Sequence, residues 1–229
     1  MSGVTVVFDL DGTLVDSAPD LMHATNHILT REGRRKVSMD EIRSMVGQGA
    51  KKLIERGFAA TGEPVAEHRL KRLYHDFIDY YAAHVAEDSR PFPGVVPLLE
   101  RCGKAGMGLA VCTNKLEGLS VSLIEALDMK RHFRAVVGPD TLRIAKPDAA
   151  PYREAVRRSG GSVGRSLMVG DSETDILTAR AAGVPVIAVS FGYSERAVAE
   201  FAPDHLVDRF EDMWPIIERF ARDAAKEPI

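Results

Sequence analysis

Five short runs of this chain, at residues 4–8, 108–111, 135–137, 167–169 and 186–189, are apolar at nearly every consecutive position and rich in valine. A strand with one wet face alternates apolar and polar residues, so unbroken runs of this length fit strands covered on both sides. From residue 108 onward the runs alternate with segments of helical period. Leu116, Leu119, Leu123, Ile124 and Leu127 fall on one helix face, and Ile176, Leu177, Arg180 and Ala181 follow the fourth run. Strands and helices joined in this way by short links predict an α/β fold, a doubly wound parallel sheet.

Residues 17–89 break that rhythm, with helical periodicity and no convincing strand. They read as an inserted helical domain, leaving residues 1–16 and 90–229 as the sheet-bearing core. Its helices are expected at 18–31, at 39–46 behind a capping box of Ser38 and Glu41, at 50–60 and at 65–85. In the last, Leu70, Leu73, Tyr74, Phe77, Tyr80, Tyr81 and His84 share one broad face, read as packing within the insert and not as a base-stacking platform. His23 and His27, four apart with no third ligand evident, are read as surface or packing residues. The turn Pro91-Phe92-Pro93-Gly94 returns the chain to the sheet, so two links that can act as hinges flank the insert.

A chain of 229 residues, 45% hydrophobic, is long enough for one sizeable core with a small appendage. The formal charge of -3, without a block of like charges, offers no broad basic footprint for nucleic acid. Asp9 and Asp11 interrupt the first apolar run before a signal sequence can mature, and no later run approaches the ~20 residues of a membrane span. The expectation is a cytoplasmic chain with no membrane partner. Cys102 and Cys112 lack the closely spaced Cys/His pairs of a structural zinc site and read as reduced, buried thiols.

Chemistry concentrates in four polar clusters near strand ends: Asp9-Leu10-Asp11-Gly12-Thr13, Cys112-Thr113-Asn114, Lys146-Pro147-Asp148 and Gly170-Asp171-Ser172-Glu173-Thr174-Asp175. In an open parallel sheet the strand C-termini form one rim where ligands bind, so these distant residues can share a crevice. A carboxylate such as Asp9 can act as a nucleophile toward phosphorus, and a second carboxyl such as Asp11 can protonate the leaving oxygen and later deprotonate water. Bringing Asp9, Asp11 and Asp171 together concentrates negative charge that a hard divalent ion such as Mg²⁺ would relieve. Thr113 supplies a hydroxyl and Asn114 a backbone donor where a helix starts, while Lys146 can clamp a phosphate. Plainer readings exist for each: an Asp-Gly turn, helix caps at Thr113 and Asp171, a first-turn acid at Asp175, a surface lysine. Calcium loops are excluded, because Leu14 and Ile176 stand where the required glycine should be.

Taken together, Asp9-Leu10-Asp11-Gly12-Thr13-Leu14, Thr113, Lys146 and Gly170-Asp171 with Asp175 resemble, in order and spacing, the four motifs of the haloacid dehalogenase superfamily. The insert resembles that family's helical cap. The resemblance implies that Asp9 takes the phosphoryl group as an aspartyl phosphate, that Asp11 serves as acid and then base, and that Thr113 and Lys146 hold the transferring oxygens. It further implies that Asp9, the main-chain carbonyl of Asp11, and Asp171 bind Mg²⁺, with Asp175 supporting Lys146 or a metal-bound water.

Within the family, Val46-Gly47-Gln48-Gly49 with Leu53-Ile54-Glu55-Arg56, Thr113-Asn114-Lys115, and Phe191-Gly192-Tyr193 followed by Pro203-Asp204 resemble the branch that hydrolyses 2-phosphoglycolate. The chain departs from that branch in lacking a proline after Lys115 and regularly spaced prolines after Lys146-Pro147. A cap reading glycolate's carboxylate should offer backbone donors or cations, for which Gly47, Gln48 and Gly49, with Lys51, Lys52 or Arg56, are the candidates. The expected partner is therefore a small phosphorylated metabolite, bound by a monomer or homodimer. Competing readings are a phosphomutase, a phosphatase of a sugar phosphate, pyrophosphate or nucleotide, and a non-catalytic sensor of a phospho-ligand. A dehalogenase is disfavoured, since Asp11 would have no leaving alcohol to protonate.

Overall fold

The computed structural model describes residues 3–226. After β1 (Thr5–Phe8) the chain forms a two-residue strand, β2 (Val15–Asp16), and the helices α1 (Ala18–Arg31), α2 (Met39–Met45), α3 (Ala50–Thr61) and α4 (Glu67–Ala83). It returns through β3 (Arg90–Pro91), which pairs antiparallel with β2. Then follow α5 (Val95–Lys104), β4 (Gly108–Cys112), α6 (Glu117–Ala126), β5 (Ala135–Val137), α7 (Pro139–Leu142), α8 (Ala149–Arg158), β6 (Ser166–Gly170), α9 (Glu173–Ala182), β7 (Val186–Val189), β8 (His205–Val207) and α10 (Met213–Ala224).

The sheet has six strands in the order β5-β4-β1-β6-β7-β8, and every neighbouring pair is parallel. Alternate residues of β1, β4, β5, β6 and β7 feed two cores. Val6 and Phe8 of β1 pack with Leu99 of α5, Ile124 of α6 and Ile217 of α10, while Val7 packs with Tyr152 of α8 and Ile176 of α9. Both faces are covered, which is why the strands read as continuously apolar. Cys102 and Cys112 are free, buried and on opposite faces of the sheet, and burial pushes each thiol up to about 12.

Two details differ from expectation. A sixth strand, β8, lies at the edge, where His205 and Leu206 are exposed and carry no apolar run to announce it. On α9 the buried side is Ile176, Thr178, Ala179 and Ala182, whereas Leu177 is 39% exposed and Arg180 faces solvent.

The four helices of the insert have an apolar core of their own, including Leu21, Ile28, Ile42, Ile54, Phe58, Leu73, Phe77 and Tyr81. The capping box opening α2 is present: the Glu41 amide donates to Ser38 Oγ at 3.3 Å, and the Ser38 amide to Glu41 Oε2 at 2.8 Å. On α4, Leu70, Leu73, Phe77 and Tyr81 are buried. Tyr80 instead stacks between His27 and His84, with ring centroids 4.2 and 4.1 Å away, so His27 serves packing. His23 lies 3.7 Å from Asp88.

Candidate active site

The register levels β1, β4 and β6, pairing Phe8 with Val111 on one side and Val169 on the other, so the residues that follow emerge on one rim. The chain leaves β1 toward β4 and later returns to β6 on β1's other side, so the sheet order reverses between β1 and β6. Ligands of open α/β sheets bind at such a point. Asp9 follows β1 directly and anchors it to β6, donating its amide to the Val169 carbonyl at 2.9 Å. Beyond it the chain folds back through bonds to the carbonyls of Leu10 and Val15, none of which uses the Asp11 carbonyl. Gly12 sits at φ +85°, and a Cβ there would stand 2.5 Å from Asp171 Oδ2, so this turn needs glycine on both counts.

Asp9, Asp171 and Asp175 each present a carboxylate oxygen within 4.8 Å of the others. Asp171 is held by Thr13 Oγ1, donating to Oδ1 at 2.7 Å, and by the Tyr193 amide, donating to Oδ2 at 2.7 Å. Lys146 Nζ donates to Asp175 Oδ1 at 2.6 Å and lies 2.9 Å from Asp9 Oδ1. Asp9 Oδ1 is therefore ion-paired with the same ammonium that serves Asp175. The other oxygen of Asp175 collects the amides of Asp171 and Ser172 and the Ser172 hydroxyl. Asp175 thus closes the capping box of α9 and seats Lys146 at once.

Burial pushes the Asp9 carboxyl up to about 7, with Asp175 and Asp11 adding to the rise and Lys146 opposing it. Burial also pushes Asp171 up to about 8, reinforced by the charges of Asp175 and Asp9. Hard oxygen donors from three clustered carboxylates, with only the one Lys146 ammonium among the described residues to balance their charge, fit a divalent cation of the Mg²⁺ type.

Asp11 points elsewhere. Its carboxylate accepts from Lys115 Nζ at 3.0 Å on each oxygen and from Ser17 Oγ at 2.5 Å, so its main-chain carbonyl is the part left for a cation. Lys115 is almost fully buried and lies 4.4 Å from the centroid of the Tyr81 ring, which α4 lowers from the insert. Burial opposes this ammonium's charge, but Asp11 and Tyr81 outweigh it and the net direction is up.

A cavity of about 200 Å³ lies between insert and core, lined by Asp9, Asp11, Thr113, Asn114 and Lys115 below and by Gly47, Gln48, Gly49, Lys51 and Tyr81 above. Thr113 Oγ1 accepts the Lys115 amide at 3.2 Å. Lys146 reaches the cavity only through its contact with Asp9. The Asn114 side chain accepts from the Lys146 amide at 2.9 Å and donates to the carbonyls of Lys146 and Gly47, both at 3.2 Å, so it ties the insert to the lysine.

Two of the three cations expected in the insert do not serve the cavity. Lys52 pairs with Glu55 at 3.0 Å, and Arg56 donates to the carbonyls of Ser44 and Met45 at the end of α2. Sequence reasoning placed no role on Lys115, Tyr193 or Tyr81. Tyr193 links the Asp171 seat to the insert's first link, because its hydroxyl accepts the Ala18 amide at 3.0 Å and bonds Asp16. The segments Thr113-Asn114-Lys115 and Phe191-Gly192-Tyr193 were the available signals, while Tyr81 was hidden in a stripe that reads as packing.

With fold and site in view, the chain belongs to the haloacid dehalogenase-like hydrolases, whose family model matches residues 6–189. Among its relatives, a phosphoglycolate phosphatase of Mesorhizobium japonicum is 47% identical over 227 residues, covering 98% of this chain and 99% of that protein. One of Caulobacter vibrioides is 47% identical over 213 residues, covering 93% and 90%. The crystal structure of a predicted phosphoglycolate phosphatase from Haemophilus somnus superposes with a TM-score of 0.87 at 30% identity, covering 94% of this chain and 98% of that one.

Proposed function

We propose that this protein is a Mg²⁺-dependent phosphatase that hydrolyses 2-phosphoglycolate to glycolate and phosphate. The observation carrying the reading is the meeting, in one cavity, of Asp9, ion-paired with Lys146, and of Asp11, held apart from it by Lys115. The names of the full-length relatives support the substrate. The cavity's small volume of about 200 Å³ and the apolar Leu21, Leu53, Phe77 and Ile78 in its lining suit a compact ester better than a sugar phosphate with its many hydroxyls.

In this reading Asp9 attacks phosphorus, forming an acyl phosphate, while Asp11 gives its proton to the departing glycolate oxygen. Asp11 then takes a proton from water, whose oxygen attacks the same phosphorus and releases phosphate and free Asp9. Thr113 and Lys146 hold the phosphoryl oxygens, with Asp175 keeping Lys146 charged and in place. Asp9, the Asp11 carbonyl and Asp171 would hold Mg²⁺, which neutralises phosphate charge and so lets the dianion approach an anionic nucleophile. The small cavity and the Asn114 contact to Gly47 suit an insert that closes over substrate.

Steady-state assays of 2-phosphoglycolate with Mg²⁺ test the proposal, beside a panel of sugar phosphates, pyrophosphate and nucleotides. Turnover is expected in the wild type and its loss in Asp9→Asn, with the circular dichroism unchanged. A well-folded Asp9→Asn protein that still releases phosphate would falsify the nucleophile, and preference for another ester would reassign the substrate.

A further inference from the structure

We propose that Lys115 and Tyr81 form the subsite that binds the substrate's carboxylate, so that the ammonium orienting the acid/base also selects for an anionic leaving group. This rests on the phosphatase reading above and deepens it.

Three observations converge. Tyr81 is 1% exposed and lines the cavity, and among the described residues its hydroxyl makes no hydrogen bond of ordinary geometry, having only the Lys115 ammonium beside it. A buried hydroxyl without a well-made hydrogen bond carries a desolvation cost that a ligand oxygen would recover. Lys115 donates to both oxygens of Asp11 and keeps a third N–H, on the side of Tyr81, that a ligand oxygen can take. Among the cations lining the cavity, Lys51 is exposed and Lys115 is buried. A carboxylate entering this mostly apolar chamber needs a desolvated cation and a hydrogen-bond donor, and Lys115 with Tyr81 supplies both.

Bond connectivity agrees. For Asp11 to protonate the ester oxygen, that oxygen must lie against its carboxyl. In 2-phosphoglycolate the carboxylate carbon is two bonds further on, and Lys115 Nζ stands 3.0 Å from the Asp11 oxygens. One lysine can therefore hold the acid/base and receive the carboxylate. The backbone of Gly47 to Gly49 would then close the chamber without having to carry the substrate's charge.

The test compares 2-phosphoglycolate with its neutral isostere, 2-phosphoglycolamide, in wild type, Tyr81→Phe and Lys115→Gln. Wild type is expected to favour the carboxylate in kcat/KM on the order of 10–100-fold, the worth of a charge-assisted hydrogen bond. Tyr81→Phe should lower that ratio several-fold, mainly through KM, and Lys115→Gln should bring it near one while slowing both substrates. An undiminished ratio in both variants overturns the inference, as does a wild type indifferent to the amide. No turnover of 2-phosphoglycolate by the wild type would instead overturn the substrate reading, and this subsite with it. If Lys115→Gln does not fold, Tyr81→Phe decides alone, because the change removes one hydroxyl that makes no hydrogen bond of ordinary geometry and leaves the ring packing in place.

Discussion

Lys146 Nζ lies 2.6 Å from Asp175 Oδ1, and both side chains are closed to solvent. The pair joins the third and fourth motifs, and through the 2.9 Å approach of Lys146 to Asp9 it joins the first as well. Breaking a buried ion pair by removing one partner strands the other charge, at about 3–5 kcal/mol. Asp175→Asn should therefore destabilise the protein by about 3 kcal/mol, the lower end because Asp9 remains beside the lysine. Urea denaturation with an unchanged m-value checks this, and a shift under 1 kcal/mol would show that the pair is not a principal support.

Cation removal should make stability depend on pH in a definite sense. Without a cation the folded Asp9 and Asp171 carboxyls sit up at about 7 and about 8, chiefly through burial, while unfolded carboxyls ionise near ~4. Between those values the folded state keeps protons that the unfolded chain has released, so stability falls as pH rises from about 4 to about 8. Melts of chelator-treated protein should show that decline, and Mg²⁺ should stabilise more at pH 8 than at pH 5. Equal stabilisation at both would argue against these carboxylates as its seat.

Asn114→Ala removes three bonds that join Lys146 to the Gly47 loop. At roughly 1 kcal/mol for each neutral bond, partly replaced by water, turnover should fall on the order of tenfold with KM raised. Steady-state kinetics would contradict this if both parameters stayed at wild-type values.

Tyr193→Phe deprives the Ala18 amide of its acceptor at the insert's first link. An unsatisfied buried amide costs about 1–3 kcal/mol, so the thermal midpoint should drop by several degrees. Because the Tyr193 main-chain amide still serves Asp171, Mg²⁺ affinity should change little. Calorimetry and metal titration separate the two effects.

The parallel sheet, the placement of the insert's helices to within two residues and the convergence of Asp9, Thr113, Lys146 and Asp171 were legible in the chain. Each depends on a local signal: an unbroken apolar run, a capping box, or a polar cluster where a strand gives out. β8 escaped notice because three residues at a sheet edge, two of them exposed, carry no such signal.

Apolar periodicity and motif order alone determined the class of fold and the polar clusters that follow β1, β4 and β6, because both are written in neighbouring residues. Which side chain meets which was decided only by the tertiary structure. The capture of Asp11 by Lys115, the descent of Tyr81 over that lysine and the bridge from Tyr193 to Asp16 join residues 104, 34 and 177 positions apart. No local pattern encodes such pairs. They exist because burying a charge or a polar group is tolerable only where folding delivers a partner, and the partner is chosen by packing.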